Sequence, residues 1–216
     1  MVSEAAQDYL KAIWKLQSRG EVTTNALAAE LGVSPASATA MLKKLDKLGL
    51  VRHERYHGAT LTPSGERIAL EVVRHHRLLE LYLMEALGLS WDEVHSEAER
   101  LEHHLSEELE ARIDAALGFP THDPHGDPIP TVDLVLESHE RVLLCDVAEG
   151  DQAVVRRVPD SDAELLRYLA SLGLMPEREL IVVEQAPFDG PVTVEVDGER
   201  HAIGRSVAAR IEVAAP

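Results

Sequence analysis

The middle of this 216-residue chain combines histidines with carboxylates at helical spacing. Five of its 11 histidines lie between residues 75 and 104. The pairings at three or four residues are His76 with Glu80, His95 with Glu99, and Glu99 with Glu102 and His103. Such spacing places side chains on one face of a helix, so two helical segments could present imidazole and carboxylate groups to a shared point. A divalent ion would satisfy that face, and nitrogen and oxygen ligands without thiolate suit Mn²⁺ or Fe²⁺.

The plain alternative for this pattern is a solvated acidic helix face with incidental histidines. Two His and acid pairs at a spacing of four, together with Glu102 and His103, favour a metal site over that alternative. Asp8 could complete one site, because the helix that carries it must pack against these helices in a compact domain. The single cysteine, Cys145, excludes a multi-thiolate zinc site and is expected to be a small buried hydrophobe.

The elements that must position these residues begin with an amphipathic helix over 8–16 and a helix-turn-helix over 23–42. Gly32 can supply the backbone freedom of the turn, and Ser34 caps the second helix with Pro35 in its first position. The buried stripe of that second helix is predicted at Ala38, Met41, Leu42, Leu45 and Leu48.

A wing of two short strands is predicted over 50–61, followed by a long helix from 63 to about 87. Ser90 and Glu93 form a capping box for the next helix, which is expected to carry His95, Glu99, Glu102 and His103. Another helix is predicted from 106 to 117.

Residues 118–130, with four prolines and two glycines, are predicted to be a loop and a linker. From about residue 141 the chain becomes rich in β-type runs, at 142–144, 153–155, 180–183, 192–196 and 209–213. Asp197 and Gly198 form a hairpin turn, and a short helix interrupts the strands over 163–172. This pattern predicts a small, partly open β-barrel of the SH3 kind.

The net charge of −17 is distributed unevenly. Residues 1–62 contain eight Lys and Arg against six Asp and Glu, a balance of +2, so the remainder carries −19. The slightly basic segment 1–62 is expected to contact nucleic-acid phosphate, and the acidic remainder of the chain is expected to bind cations. The alternative on charge alone is an acidic surface with no partner. No apolar run approaches a membrane span, and Glu4 and Asp8 stand where a leader would be basic, so a cytoplasmic protein without a membrane partner is expected.

A helix-turn-helix with a wing places its second helix in the major groove of double-stranded DNA. Short polar side chains then reach base edges, and flanking cations reach phosphates. The candidate base readers are Ser34, Ser37 and Thr39, with Pro35 beside them. The candidate phosphate contacts are Lys43, Lys44, Lys47, Arg52 and Arg55. The alternative is an ordinary three-helix bundle with surface lysines.

Six segments in this order and spacing form a specific pattern. They are DYL at 8–10, VSP at 33–35 with Thr39, LTPSG at 61–65, HRLLE at 76–80, VHSEAERLEH at 94–103 and PHGDPI at 124–129. In these segments the chain resembles the diphtheria toxin repressor and manganese transport regulator family over essentially its whole length. Members of that family are dimeric, metal-activated repressors of metal-uptake and related genes.

The resemblance implies a fold that is mainly α with a β-rich C-terminal domain. It places a winged helix-turn-helix DNA-binding domain over 1–72, a helical dimerisation and metal-binding domain over 73–130, and an SH3-like (FeoA-like) barrel over 141–216. The family's primary site falls on Asp8, Glu99, Glu102 and His103, and its ancillary site on His76, Glu80 and His95. Barrel-containing relatives add a Glu-x-x-Gln pair, for which the nearest counterparts here are Asp162 and Glu164.

Asp8 and Glu99 replace the methionine and cysteine of the iron-sensing members, which hardens the site and resembles the manganese-sensing branch. That branch has a glutamate where this chain has Lys11, so two separated ions per subunit, Mn²⁺ or Fe²⁺, are expected instead of one coupled pair.

The sequence therefore predicts a homodimeric, metal-dependent transcriptional repressor without enzymatic activity, in which metal binding at Asp8 ties the first helix to the His and Glu helices. A di-metal carboxylate enzyme or storage protein is one alternative. That class needs Glu-x-x-His on two bundle helices, whereas the only such spacing, Glu54 to His57, falls in the wing. The other alternative is a winged-helix regulator that answers to an organic ligand, independently of metal.

Overall fold

The computed structural model describes residues 2–18, 20–54, 58–136 and 141–216. It opens with three helices, α1 (Glu4–Gln17), α2 (Thr24–Glu30) and α3 (Pro35–Lys47). Ser34 caps α3 by accepting a hydrogen bond from the Ser37 amide at 3.1 Å, which confirms the predicted start of this helix. Gly32 has a φ of +62°, as a turn glycine requires.

Most of the predicted stripe of α3 is confirmed. Ala38, Leu42 and Leu45 are buried, and Met41 packs half-buried against the same cluster. The prediction for Leu48 is wrong, because its side chain is 56% exposed. The helix ends at Lys47, and the turn through Gly49 carries Leu48 off the buried face.

The predicted wing is an antiparallel hairpin of β1 (Val51–Glu54) and β2 (Gly58–Leu61), in a register that pairs Val51 with Leu61. Arg55, one of the candidate phosphate contacts, lies outside the described residues. The hairpin joins the helical core through the Ala59 amide, which donates to the Val22 carbonyl at 2.9 Å.

The middle of the chain is helical. It contains α4 (Pro63–Glu85), α5 (Val94–Leu101), a 3₁₀ turn (Glu102–His104) and α6 (Glu107–Ala116). Helix α4 spans the predicted boundary at 72/73, with Ala69 in the N-terminal core and Leu78 in the core of the helical region. Ser90 does contact Glu93, but residues 91–93 form turns and α5 begins at Val94. The helix predicted to carry Glu102 and His103 is therefore shorter than expected, and both residues lie on the tighter turn.

The C-terminal region contains one antiparallel sheet in the order β3-β8-β4-β5-β6-β7, which confirms a β-rich domain after a mainly helical front. Its elements are β3 (Val142–Leu143), β4 (Gln152–Arg157), α7 (Ala163–Ser171), β5 (Glu179–Gln185), β6 (Val192–Val196), β7 (Glu199–Ile203), α8 (Arg205–Ala208) and β8 (Glu212–Ala214). Asp197 and Gly198 have φ values of +51° and +82°, which a type I′ hairpin turn requires.

Two of the β-type runs predicted for this region form strands that are shorter than the runs themselves. Strand β3 stops at Leu143, before a 3₁₀ turn that begins at Leu144. The last strand starts at Glu212, because the cap of α8 at Ala209 and the turn after it take up the start of the predicted run. Cys145 is buried, as expected. Within the described part of the chain, no helix has the length and apolar character needed to cross a membrane.

The segment predicted as a linker is packed instead of free. Asp123, His125, Asp127 and Ile129 are all buried. Gly126 has a φ of +88°, and a Cβ placed there would lie 1.8 Å from the Arg156 carbonyl oxygen of β4. The loop and the barrel therefore touch through their backbones, and only a glycine fits between them.

Gly126→Ala should weaken this contact strongly. Gly118→Ala is the matched control, because Gly118 also has a positive φ, +75°, but nothing lies within 4 Å of its Cβ position. The control should cost only the left-handed backbone penalty of about 1–2 kcal/mol. Gly126→Ala should cost about 2 kcal/mol more, because the backbone must shift. Urea unfolding measures both, and equal losses would contradict the close packing.

Candidate metal centre

Helix α4 carries the central residues of the site, because His76 and Glu80 lie one turn apart on its buried face. Glu80 Oε1 is 3.0 Å from His76 Nε2 and 2.8 Å from His95 Nδ1, and the two ring nitrogens are 3.1 Å apart. Asp160, between β4 and α7, places Oδ2 3.8 Å from His95 Nδ1. We call His76, Glu80, His95 and Asp160 the interdomain cluster.

The structure does not bring Asp162 and Glu164 to this cluster. Asp162 caps α7, accepting from the Leu165 amide at 3.0 Å, and its carboxylate lies 4.0 Å from Arg210. Glu164 is exposed on the first turn of α7. Asp160, three residues before α7, is the acid of this segment that belongs to the interdomain cluster.

A second group, the loop cluster, consists of Glu80, Asp123 and His125, and all three residues are buried. Glu80 Oε2 and His125 Nδ1 are 3.8 Å apart, too far for a hydrogen bond. These two atoms and Asp123 Oδ2 have no hydrogen-bond partner among the described residues. Buried polar atoms are nearly always paired, so three atoms without a hydrogen-bond partner close together form a place that a cation would fit. The sequence analysis gave Asp123 and His125 no role, although their Asp-x-His spacing within a proline-rich loop was visible.

The third group, the α1 cluster, consists of Asp8, Glu102 and His103. His103 Nε2 lies 2.8 Å from Asp8 Oδ1 and 3.6 Å from Glu102 Oε1. The other ring nitrogen, Nδ1, lies 2.9 Å from Gln7 Oε1. If Nδ1 donates to the Gln7 amide oxygen, Nε2 is the nitrogen that would coordinate an ion held between the two carboxylates, which is the usual arrangement of a histidine ligand.

Lys11 lies between the clusters and is buried. Its ammonium donates to both carboxylate oxygens of Glu102, at 2.8 and 2.7 Å, and lies 3.3 Å from His76 Nδ1. Glu99, predicted at the same site as Glu102, has a side chain that is 54% exposed. It lies 4.0 Å from Lys11 Nζ and 3.6 Å from His95 Nε2, at the edge between the clusters.

The surroundings shift the pKa values of these groups. Burial opposes ionisation of Glu80, but the neighbouring histidines outweigh it and hold the pKa of Glu80 well below its usual value. Burial lowers the pKa of His125, but the negative charges of Glu80 and Asp123 outweigh it and raise that pKa to about 9. Burial likewise opposes protonation of His76, whose pKa is raised by Glu80 and Glu102. Protons therefore occupy nitrogens that a cation would need, and metal binding would release them.

The donor atoms fit a divalent ion of intermediate to hard character. All three clusters offer imidazole nitrogen and carboxylate oxygen, and no cysteine belongs to any of them. Such sets suit Mn²⁺ and Fe²⁺. The unpaired atoms of the loop cluster are the structural observation that supports this fit.

The described candidate DNA contacts lie on α3 and its cap, except Arg52, which lies on β1 of the wing. Ser34, Pro35 and Ser37 are exposed, as are Lys43, Lys44, Lys47 and Arg52. Thr39 is half-buried, and its hydroxyl donates to the Pro35 carbonyl at 2.8 Å. The two serine hydroxyls lie 2.9 Å apart.

Three family profiles match the chain. The N-terminal DNA binding domain of iron dependent repressors matches residues 1–59, their metal binding and dimerisation domain matches 62–131, and the FeoA domain matches 142–215. The iron-dependent repressor IdeR of Mycobacterium tuberculosis H37Rv is 32% identical over 211 residues, which cover 92% of this chain and 91% of the relative. The transcriptional regulator MntR of Lysinibacillus sphaericus is 36% identical over 107 residues, 49% of this chain and 76% of the relative. A solved manganese-dependent transcriptional repressor in complex with manganese has a TM-score of 0.91 at 45% identity, covering 98% of this chain and 100% of that one.

Proposed function

The chain belongs to the iron-dependent repressor family, which includes the diphtheria toxin repressor and the manganese transport regulator, and from this membership we propose that it is a divalent-metal-dependent repressor of transcription. We assign DNA binding to residues 1–72, dimerisation and metal binding to 73–130, and the barrel to 141–216. We assign it to the cytoplasm, where we expect it to meet the DNA that it regulates. The regulated genes are proposed to be those for metal uptake.

The observation that carries this proposal is that three separate parts of the chain supply acids to two groups of metal-ligating side chains, the α1 cluster and the interdomain cluster. Asp8 comes from α1 of the DNA-binding region, Glu80 from α4, and Asp160 from the barrel. The contacts are specific, because Glu80 Oε1 faces two ring nitrogens within 3.0 Å while its Oε2 has no hydrogen-bond partner among the described residues. A solvated acidic face would not bury its central carboxylate in this way.

We assign one ion to each side of Lys11, which makes two per subunit. On one side Asp8, Glu102 and His103 are the ligands, with Glu99 at the edge. On the other side the ligands come from the interdomain cluster, and Asp123 and His125 face the second oxygen of Glu80. A bound divalent ion would replace the positive charge that protons on His76 and His125 give to the buried carboxylates around them. Lys11 neutralises Glu102 between the two sides, so we keep the ions separate.

The α1-cluster ligands are placed to hold α3, the helix that we propose contacts the DNA bases, in position. Asp8 lies on α1, and α1 packs in the same hydrophobic core as α3. Fixing Asp8 against His103 therefore fixes α3 relative to the helical domain. In a homodimer, two reading helices must match half-sites about one DNA turn apart, so limiting their relative motion favours operator binding. We assign base contacts to Ser34, Pro35, Ser37 and Thr39. Phosphate contacts are assigned to Lys43, Lys44, Lys47, Arg52 and Arg55.

A gel shift tests the proposal. Double-stranded fragments are first selected from a random library by the protein with Mn²⁺, and binding is then compared in Mn²⁺ and in excess chelator. The proposal expects at least about tenfold weaker binding after chelation, since coupling of this kind typically changes affinity about 5- to 150-fold. Equal binding in both conditions would support a metal-independent winged-helix regulator. No selected DNA at all, with oxygen consumption or turnover, would support the enzyme class.

A further inference from the structure

Trp91 connects two regions that the sequence suggests are separate. It lies in the turns before α5, in the helical region, yet it belongs to the hydrophobic core of the barrel together with Leu144, Val155 and Leu166. Its side chain is only 8% exposed. The next residue, Asp92, accepts a hydrogen bond from Arg167 of α7 at 2.5 Å, which attaches the same turn to the barrel surface.

Trp91 also holds His125 of the loop cluster. The His125 Nε2 atom lies 3.0 Å from the Trp91 carbonyl oxygen, and the two rings stack at 5.5 Å with an angle of 25°. The indole Nε1 donates to the Pro124 carbonyl at 3.1 Å. A carbonyl can only accept, so Nε2 carries a hydrogen and Nδ1 is the atom that faces Glu80 Oε2. A ligand histidine is usually oriented by such a bond from its other nitrogen.

The barrel backbone holds the opposite side of the loop. The Val158 amide donates to the His125 carbonyl at 2.9 Å, and Gly126 packs against the Arg156 carbonyl. His125 is therefore fixed between Trp91 on one side and the end of β4 on the other. Both of these supports belong to the barrel or to its core.

We propose that Trp91 is a positioning residue that orients His125 toward Glu80, so that docking of the barrel and divalent-metal affinity at the Glu80 side of α4 depend on each other. The inference rests on the proposed function, because it assumes that Glu80 and His125 bind a metal ion. It assigns the barrel a role beyond supplying Asp160: its hydrophobic core holds the residue that sets the orientation of a ligand.

Calorimetric titration of the full chain with Mn²⁺ tests the proposal, in a His103→Ala background that removes the α1 cluster. Trp91→Leu keeps the main-chain carbonyl of residue 91 but removes the ring stacked on His125 and the indole donor to Pro124. It should weaken Mn²⁺ binding about 10- to 100-fold, the range for loss of outer-shell support of a ligand histidine. Leu169→Ala is the matched control, because Leu169 lies fully buried in the same barrel core. It should leave the affinity within about threefold. Unchanged affinity in Trp91→Leu, or an equal loss in the control, would overturn the proposal.

Trp91→Phe covers the case in which Trp91→Leu does not fold. It keeps an aromatic ring over His125 but removes the indole donor to Pro124, so affinity should fall about 2- to 10-fold, the worth of one hydrogen bond. Affinity equal to that of the parent would overturn the proposal.

Fluorescence gives a readout that does not depend on DNA binding. Trp14 and Trp91 are the two tryptophans of the chain, so Trp14→Phe leaves Trp91 as the single emitter. Its emission should respond to Mn²⁺, and His125→Ala should remove the response. If Mn²⁺ binds, but the emission of Trp91 does not change and Trp91→Leu has the same Mn²⁺ affinity as the parent, only the proposed link between Trp91 and metal binding fails. If calorimetry finds no Mn²⁺ binding at all, the proposed function itself fails.

Discussion

Glu80→Gln should remove most of the stabilisation that Mn²⁺ gives this protein. One oxygen of Glu80 faces His76 and His95, and the other faces His125, so a single substitution affects both the interdomain and the loop cluster. Glutamine has nearly the same shape but lacks the charge and offers one acceptor instead of two. The expected result is loss of one ion per subunit at saturating Mn²⁺.

The size of this effect follows from linkage. A ligand at 100 times its Kd stabilises the folded state by about 2.7 kcal/mol. For a chain of this length, that corresponds to a rise in Tm of about 5–10 °C. The parent protein should show this rise on adding Mn²⁺, whereas Glu80→Gln should show only the part due to the α1 cluster. Glu85→Gln, an exposed carboxylate on the same helix, is the control and should behave as the parent. A full rise in Glu80→Gln would remove Glu80 from the metal site.

Asp8→Ala should weaken metal-dependent DNA binding while leaving metal binding at Glu80 of α4 intact. Asp8 is the member of the α1 cluster that lies on α1, and it faces His103 at 2.8 Å. Without it, Mn²⁺ should still bind at the Glu80 side. DNA affinity at saturating Mn²⁺ should fall about 5- to 150-fold, the range of a typical coupling free energy. Fluorescence anisotropy with a selected DNA fragment measures this change.

The matched control for Asp8→Ala is Glu4→Ala. Glu4 lies one turn earlier on α1, is exposed, and approaches only His104 at 3.6 Å among the described residues. The Glu4→Ala substitution removes one negative charge from α1, as Asp8→Ala does, so a general electrostatic effect on DNA binding would appear in both variants. Equal DNA affinity of Asp8→Ala and the parent would refute the role of Asp8 as the link.

The residues that the sequence placed well are those whose position follows from helical periodicity. His76 and Glu80 are four apart on α4, and the structure brings them to 3.0 Å. Glu99 illustrates the limit of that reasoning. Its spacing to Glu102 and His103 predicts one shared face, but α5 ends at Leu101 and the 3₁₀ turn rotates the two later residues away, which leaves Glu99 half exposed.

Residues whose position depends on how the barrel docks could not be placed from periodicity. Asp160 lies between β4 and α7, and Asp123 and His125 lie in a loop, so no repeating pattern connects them to Glu80. The loop that carries Asp123 and His125 is held by contacts between residues distant in sequence. Asp127 of this loop lies 2.8 Å from Arg77 of α4 and 2.8 Å from Arg157 of β4. The prolines and glycines of that loop indicated irregular backbone, and only the packing shows that it is ordered and buried.

The ammonium of Lys11 has a consequence for a cell that is starved of metal. A cation attached to α1 by covalent bonds cannot be extracted by a chelator or lost by dilution, and it already bridges α1 to Glu102. Part of the attachment of α1 to the helical region therefore remains when no metal ion is bound. Promoters with the strongest operators should consequently retain residual silencing when the ion is absent, while weak operators are released first.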